Sequence, residues 1–433
     1  MHSIFDTFKV KNTNNDVLNL AKLVADIADD LFDQYREEVF RLYHSDNARA
    51  AIRDQVVKFI NSTRKGLLNS YENIETLVLE KIFDYYPVQH LIDDEDITDI
   101  YITKPDNISY KKKGVIYNDD SIVFPSVKSL ELFITKSVWK NGGDITQQKP
   151  YYLGCDKVSK LRIDASLPPL SGDYPNIHFR IHHLFNTRLH EMQGVYDMMD
   201  VNILRLLQCS VEANLKVLVV GAPGSGKTTL SRAIINEIPS NIFSTSVEES
   251  LEWYIEKSNH RPFTLLQRIN EVDKNSLYDM STLSGLIRFL LLCGTTCISI
   301  GEIKGAEAFN ILHAYRTGCF GVNTLHVDHI METHKRFVFM AAANPSARNY
   351  PIEELEQTFS QCFDLIIFME NFRVKDVCEL DHDCSSIIYN HIYEYVEVGT
   401  RKKPGGYYKK VNPISKKLED KFGAKEIKSW IYN

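Results

Sequence analysis

The segment Gly221-Ala222-Pro223-Gly224-Ser225-Gly226-Lys227-Thr228 constrains this chain more than any other. It follows the apolar run 217–220 and leads into a stretch with helical character from Thr229 to residue 238. Strand, glycine-rich turn and helix in that order form the context a phosphate-binding P-loop requires. Glycines let the backbone curl so that successive N–H groups, here those of residues 221–229 other than Pro223, face one anion. The start of the following helix adds the positive end of its dipole. Lys227 supplies a charge for the β- and γ-phosphates, and Thr228 a hydroxyl for Mg²⁺. The spacing therefore predicts binding of a nucleoside triphosphate, ATP, with Mg²⁺. The alternative, a glycine turn that merely precedes a helix, leaves the agreement between loop and context unexplained.

A chain of 433 residues is too long for one ordinary core, so two domains are expected. Its 44% hydrophobic and 25% charged residues are those of a soluble globular protein. A net charge of −7 argues against a surface that coats nucleic acid, and no direct nucleic-acid partner is expected. The eight cysteines lack the paired spacing of a zinc site or disulfide framework, which fits reduced thiols in a cytoplasm. Residues 1–15 show no apolar signal core. The longest apolar stretches, such as 289–293, are too short to span a bilayer, so membrane association is expected to be peripheral and to run through partners.

Helical spacing of Leu18, Leu20, Leu23, Val24, Ile27, Leu31 and Phe32 marks residues 16–43 as an amphipathic helix, and 49–85 read similarly. Residues 1–88 are thus expected to be a helical region. The texture changes near Asp96. Strands are predicted at 98–103, 108–112, 161–165 and 177–182, with a helix over 127–140, giving a small α+β domain, PAS-like in its sheet and helix, over 89–185. Residues 186–197 read as a linker. Strands at 217–220, 242–246, 263–266, 297–300, 322–325 and 365–368 alternate with helices, so 198–400 are expected to be an α/β, RecA-like P-loop domain. Residues 401–433, Lys-rich with Pro404-Gly405-Gly406, read as a basic solvated tail, a membrane-surface element being the alternative.

Triphosphate hydrolysis needs a metal, a carboxylate that orients or deprotonates water, and positive charge at the transition state. Glu302 ends the buried-type strand 297–300, and such an end borders the P-loop crevice in a parallel sheet. It is the candidate for activating water near Mg²⁺, against the alternative of an acid that stabilises the start of the next helix. Glu248, Glu249 and Glu252 cluster after another strand, where Glu248 and Glu249 could hold the water shell of the metal or simply face solvent. His326 ends a third strand, placed to contact a γ-phosphate or to serve the structure alone. His326, His329 and His334 lack the Cys or carboxylate spacing of a zinc site. Asp381-His382-Asp383-Cys384 reads as a polar hairpin tip for the same reason.

Taken in order, Val247-Glu248-Glu249-Ser250-Leu251-Glu252, Gly301-Glu302-Ile303-Lys304-Gly305-Ala306-Glu307-Ala308 and the stretch from Thr317-Gly318-Cys319 to Thr324-Leu325-His326 resemble the Asp box, Walker B and His box of the traffic ATPases of type II and type IV secretion. Upstream, Ile97-Thr98-Asp99-Ile100 with Pro105-Asp106-Asn107, and Leu161-Arg162-Ile163-Asp164-Ala165 with Phe179-Arg180-Ile181, resemble that family's N-terminal domain. The likeness runs from about residue 85 to 400 and is strongest to the tight-adherence (Flp) pilus and conjugation-type branch. It implies a homo-hexameric ring with ATP held between the N-terminal and RecA-like domains. Glu302 would be the Walker B carboxylate and His326 the His-box residue. Arg162 and Arg180 would approach the phosphates on domain closure; without the resemblance they read as exposed strand charges. The implied partner is an inner-membrane platform or channel protein, and the implied location the cytoplasmic face of the cell membrane. Four departures stand out. Glu249 replaces Asp, Lys304 replaces Arg, Cys319 replaces the first His-box histidine, and Leu292-Cys293-Gly294-Thr295-Thr296 replaces a charged stretch. They bear on the hydrolysis rate and keep open a hexameric ATP-binding scaffold that barely hydrolyses. A nucleic-acid-translocating motor is disfavoured by the acidic balance.

Overall fold

The computed structural model describes residues 14–43, 48–71, 73–112, 114–156, 159–181, 188–249, 253, 263–266, 282–382, 387–399 and 405–425. The chain divides into two compact units, Met1–His183 and Leu184–Asn433.

In the first unit, helices α1 (Asn14–Tyr43), α2 (Ala48–Thr63) and α3 (Ile74–Phe83) pack together. Leu20, Val24, Ile27 and Leu31 of α1 recur every three or four residues, so they form one buried stripe against Ile52, Val56 and Ile60 of α2 and Leu77 and Val78 of α3. Next comes a six-stranded antiparallel sheet, β1 (Ile97–Lys104), β2 (Asn107–Lys112), β3 (Val115–Asn118), β4 (Tyr151–Asp156), β5 (Leu161–Ser166) and β6 (Asn176–Ile181), in the order β3-β2-β1-β6-β5-β4. Helix α4 (Val127–Lys140) starts at a Ser126 capping box and buries Leu130, Ile134 and Val138 in the core formed by Ile100, Ile163 and Phe179. The exposed β3 and the half-buried β4 carry no long apolar alternation, which is why the sequence pattern does not reveal them.

The second unit begins with α5 (Leu189–Gly194) and α6 (Val201–Glu212), the latter capped by Asp200. Residues 186–197 were expected to be a linker, yet α5 buries Leu189 and Met192 in the core of this unit. Two apolar side chains one turn apart are too few to register as a period. The strands are β7 (Lys216–Gly221), β8 (Ser244–Glu248), β9 (Phe263–Leu266), β10 (Cys297–Ile300), β11 (Gly321–His326), β12 (Leu365–Glu370), β13 (Arg373–His382), β14 (Ile387–Glu397) and β15 (Gly406–Lys410). Strands β9, β8 and β10 run parallel, and bridges from Cys297 to Phe320 and from Ile303 to Leu325 carry the sheet on to β11. Strands β11, β7 and β12 are parallel, while β12 to β15 form an antiparallel extension.

Core packs on both faces of this sheet. Val217 and Val219 of β7 enter one apolar layer, with Leu230, Ala233 and Ile234 of helix α7 (Lys227–Ile235). Leu218 and Val220 enter the other layer, with residues of α8 (Leu283–Leu292), α9 (Glu307–Arg316), α10 (Thr333–Ala342) and α11 (Ile352–Cys362). A strand buried on both faces reads as an unbroken apolar run, as 217–220 does. The chain leaves β7, places β8 and β9 at one edge, returns through β10 and β11, and crosses β7 to reach β12. β7 therefore stands at the topological switch point, where α/β sheets bind ligands.

Residues 401–433 were expected to be a solvated tail. The described part instead completes the fold. Strand β15 pairs with β14, and α12 (Lys416–Ala424) buries Leu418 and Phe422. The lysines that suggested a tail include Lys409 and Lys410 on an exposed edge strand, a place where charge discourages pairing with other chains. Among the described residues, no helix is long and apolar enough to cross a membrane.

Candidate active site

The P-loop is held by close backbone approaches that only glycine permits. A Cβ on Gly221 would lie 2.1 Å from the Met369 carbonyl of β12, and Gly224 and Gly226 have φ of 73° and 98°. Phe372 N–H, in the β12–β13 turn, donates to Ser225 O at 3.0 Å and ties the loop to the sheet. Helix α7 starts at Lys227. The Lys227 ammonium is 4% exposed and donates to Gly221 O at 2.9 Å and Ala222 O at 2.7 Å. Pro223 and Gly224 are exposed at the loop tip, while Thr228 and Thr229 are half-buried in the first turn of α7.

The ends of three strands, β11, β10 and β8, line up beside this loop. His326, the last residue of β11, pairs in register with Gly221. Glu302 follows β10, and Ile303 N–H donates to Thr324 O at 2.9 Å, which fastens the segment after β10 to β11. His326 Nδ1 lies 2.9 Å from Glu302 Oε1, and Lys304 Nζ lies 3.2 Å from Glu302 Oε2. Lys304 Nζ also donates to Glu249 Oε2, beyond the end of β8, at 2.7 Å. The result is a chain of alternating partners, His326–Glu302–Lys304–Glu249, along the C-terminal edge of the parallel strands.

Burial alone would raise the Glu302 carboxyl. The His326 hydrogen bond and charge, then Lys304, outweigh it and bring the group down to about 2. It is therefore an anion throughout the neutral range. Burial lowers the Lys304 ammonium, but Glu249 and Glu302 raise it further, so it stays charged. An acid that stabilises the start of α9 is also present, and it is Glu307. Its Oε1 accepts from Lys304 N at 2.6 Å and Gly305 N at 2.8 Å. The structural role weighed for Glu302 thus belongs to its neighbour five residues on.

The strands that carry these groups are locked by side chains. Ser299 Oγ accepts from Val322 N and Asn323 Oδ1 from Ile300 N, each at 3.0 Å, where β10 and β11 lack a regular ladder. Thr324 Oγ1 donates to Gly301 O. The sequence offered polar residues in two apolar strands as the signal for this joint.

Glu248 is 3% exposed and turned inward, accepting from Ser246 Oγ at 3.2 Å and Trp253 N at 2.9 Å. Glu252 lies outside the described residues. Cys319 precedes β11 at its opposite end from His326 and donates to Thr295 O at 3.4 Å, so this departure does not touch the Glu302 row. His329 accepts from Met331 N, and His334 Nδ1 lies 3.0 Å from the Tyr389 hydroxyl. Neither joins His326 in a cluster with metal-ligand spacing among the described residues. Asp381 and His382 end β13, while Asp383 and Cys384 lie outside the described residues.

Arg162 and Arg180 lie opposite each other on β5 and β6 of the first unit, and Arg180 faces Asp99 on β1. Arg162 Nε donates to Asp164 Oδ1 at 3.1 Å, and Arg180 is exposed. Beside them sits a group missed in the sequence. His178 Nε2 is 3.1 Å from Asp99 Oδ1 and Nδ1 is 3.3 Å from Asp164 Oδ2, with the Tyr101 ring stacked at 4.6 Å. The signal was period-two alternation in β5 and β6, which puts Arg162, Asp164, His178 and Arg180 on one polar face.

Residues 153–367 match the family described as Type II/IV secretion system protein. The type IV secretion system protein PtlH of Bordetella pertussis is 27% identical over 165 residues, 38% of this chain and 48% of that protein. VirB11 of Brucella suis is 25% identical over 170 residues, 39% of this chain and 46% of that protein. The chain thus spans about half the length of the curated relatives it matches. The solved structure of the Legionella pneumophila ATPase DotB is 19% identical, covering 70% of this chain and 77% of that one with a TM-score of 0.45.

Proposed function

Because residues 153–367 belong to the type II/IV secretion ATPase family, we propose that this protein is an ATP-hydrolysing motor for secretion, pilus assembly or conjugation. The single observation that carries the hydrolytic part is the Glu302–His326 pair beside Gly221, with the helix-start role filled by Glu307. Backbone N–H groups of residues 221–229 other than Pro223, and the Lys227 ammonium, would hold the phosphates. Thr228 would ligate Mg²⁺, which would neutralise phosphate charge when bound, and Glu249 and Glu302 could accept hydrogen bonds from its waters. Held as an anion by His326 and Lys304, Glu302 would orient the attacking water. Glu248 supports β8 through Ser246 and Trp253 and is not needed as a metal ligand.

Arg162 and Arg180 would supply the remaining positive charge when the first unit closes over the nucleotide, coupling hydrolysis to rigid-body motion. In a homo-hexamer at the inner face of the cell membrane, such motions would act on a platform or channel protein. The departures at Glu249, Lys304 and Cys319 do not favour a non-hydrolysing scaffold. Lys304 pairs with both Glu249 and Glu302, and Cys319 lies at the other end of β11.

The test is Mg·ATP turnover by the purified protein across a concentration series, with assembly state followed by light scattering. Turnover per chain is expected to rise as hexamers form. ATP binding and ring formation with turnover at background throughout would favour the scaffold instead.

A further inference from the structure

We propose that Asp376, Cys378, His391 and Glu394 form a site for one divalent cation of the zinc class on the β13–β14 hairpin. This site is separate from the Mg²⁺ that accompanies nucleotide. Strands β13 and β14 lie beyond β12, on the side of β7 away from Glu302.

A break in strand register assembles the four side chains. Asp376 pairs with Glu394 and Val377 with Tyr393, but Cys378 pairs with His391, so Ile392 is an extra residue on β14. Such bulges re-aim side chains. Without it, His391 and Glu394, three residues apart, would point to opposite faces. With it, Ile392 and Tyr393 both enter one apolar core. His391 and Glu394 then share the other face with Asp376 and Cys378. The bulge is anchored, because Ile392 is fully buried and Val411 N donates to its carbonyl at 2.8 Å.

The donor atoms converge. His391 Nδ1 lies 2.7 Å from Asp376 Oδ2, 3.1 Å from Cys378 Sγ and 3.6 Å from Glu394 Oε1. Cys378 Sγ lies 3.2 Å from Asp376 Oδ1. Bonds of about 2.0 Å to N or O and about 2.3 Å to S in a tetrahedron place ligand atoms roughly 3.3–3.6 Å apart, so the closest pair, at 2.7 Å, would open by about 0.6 Å. One thiol, one imidazole and two carboxylates suit zinc, whereas Mg²⁺ takes oxygen ligands and would not use the sulfur.

A cation entering this site would have to displace protons. Burial first, then Asp376, pushes the Cys378 thiol above its ordinary range, and burial also raises Asp376. A cation would reverse both effects by taking the thiolate and carboxylate as ligands and releasing their protons. Lys375 is engaged by Glu397 and Glu370, and Lys409, opposite Glu394 on β15, is exposed.

The test uses the full-length chain, freed of metal and without nucleotide, titrated with Co²⁺ and then Zn²⁺. One Co²⁺ per chain is expected, with a thiolate-to-cobalt absorption band and the visible spectrum of a tetrahedral ion, both removed by Zn²⁺. Cys378→Ser should abolish the band, and His391→Gln should weaken binding at least about 10-fold. Cys293→Ser, at an exposed cysteine, should change nothing. Zn²⁺ should raise the melting temperature of the wild type by about 5 °C and leave Cys378→Ser unmoved. If Cys378→Ser does not fold, His391→Gln and Glu394→Gln carry the same comparison. No thiolate band in the wild type, or a band that survives these changes, overturns the proposal.

Discussion

Glu302 shows what a single residue's neighbours decide. Its place after an apolar strand was legible in the sequence, since strand ends border the crevice in parallel sheets. Its ionisation was not, because it depends on His326, 24 positions away, and on Lys304 being turned back toward β8. The same limit hid His178. A lone histidine on a strand gives no sign that Asp99 and Asp164 flank it. That network makes a pH prediction. Burial lowers the pKa of His178, but its two aspartate partners raise it above 6.5 overall. Burial raises Asp99 and Asp164, but hydrogen bonds from His178 and their other partners hold them below 3.8 overall. Stabilisation from the raised histidine is complete below its unfolded value and is lost as pH rises through the folded one. Stabilisation from the depressed aspartates is present above their unfolded values and is lost as pH falls through the folded ones. The network should contribute most near pH 5.5. Burial holds Lys81 at about 7 and Lys140 at about 8, which changes stability in the opposite sense as pH rises. The informative quantity is therefore the urea midpoint of the wild type minus that of His178→Gln. It should be largest near pH 5.5 and shrink toward pH 8.5; a difference that does not vary with pH would contradict the network.

At the scale of elements, the six strands expected between residues 217 and 368 all form, β8 beginning at Ser244. β7 and β12 carry the unbroken apolar run that a doubly covered sheet demands, whereas β8 is Ser-Thr-Ser-Val-Glu. The strands that escaped notice, β13, β14 and β15, mix Lys, Asp, Glu and His with their apolar residues because one edge of the extension meets solvent. Short α5 escaped for want of length, and α12 because lysines masked its two buried residues. The joint between β10 and β11 is the element that sets the spacing of Glu302 and His326, and Gly321 is its tightest point. A Cβ there would stand 2.1 Å from Ile298 O, in a backbone with φ of 156°. Gly321→Ala must push β10 from β11 and so separate Glu302 from His326. A stability loss of about 2–4 kcal/mol is expected by chemical denaturation. ATP turnover should fall further than ATP binding, because the P-loop itself is untouched. Equal losses of both would mean that the joint only supports the fold.

For the whole molecule, eight residues of P-loop pattern pointed to an α/β architecture, and the order of strands around β7 agrees with it. The division near residue 184 was legible from the change between short antiparallel strands and strand–helix alternation. What the sequence could not supply was the pairing across long separations. β7 lies against β11, more than a hundred residues later, and no local period encodes that contact. The motor reading rests on these pairings, because they alone bring Lys227, Glu302 and His326 to one edge of one sheet.

The central claim is that Glu302 orients the water that cleaves ATP. The most direct measurement is Mg·ATP hydrolysis by the wild type beside Glu302→Gln, with nucleotide affinity measured on both. Glutamine keeps the size of the side chain and removes its charge. The variant should bind ATP within about threefold of the wild type and hydrolyse it at least ~100-fold more slowly, the range lost when a positioned charged group leaves a phosphoryl-transfer site. A folded variant that binds and turns over ATP like the wild type would contradict the claim, and the hydrolytic role would then have to be sought elsewhere along the row.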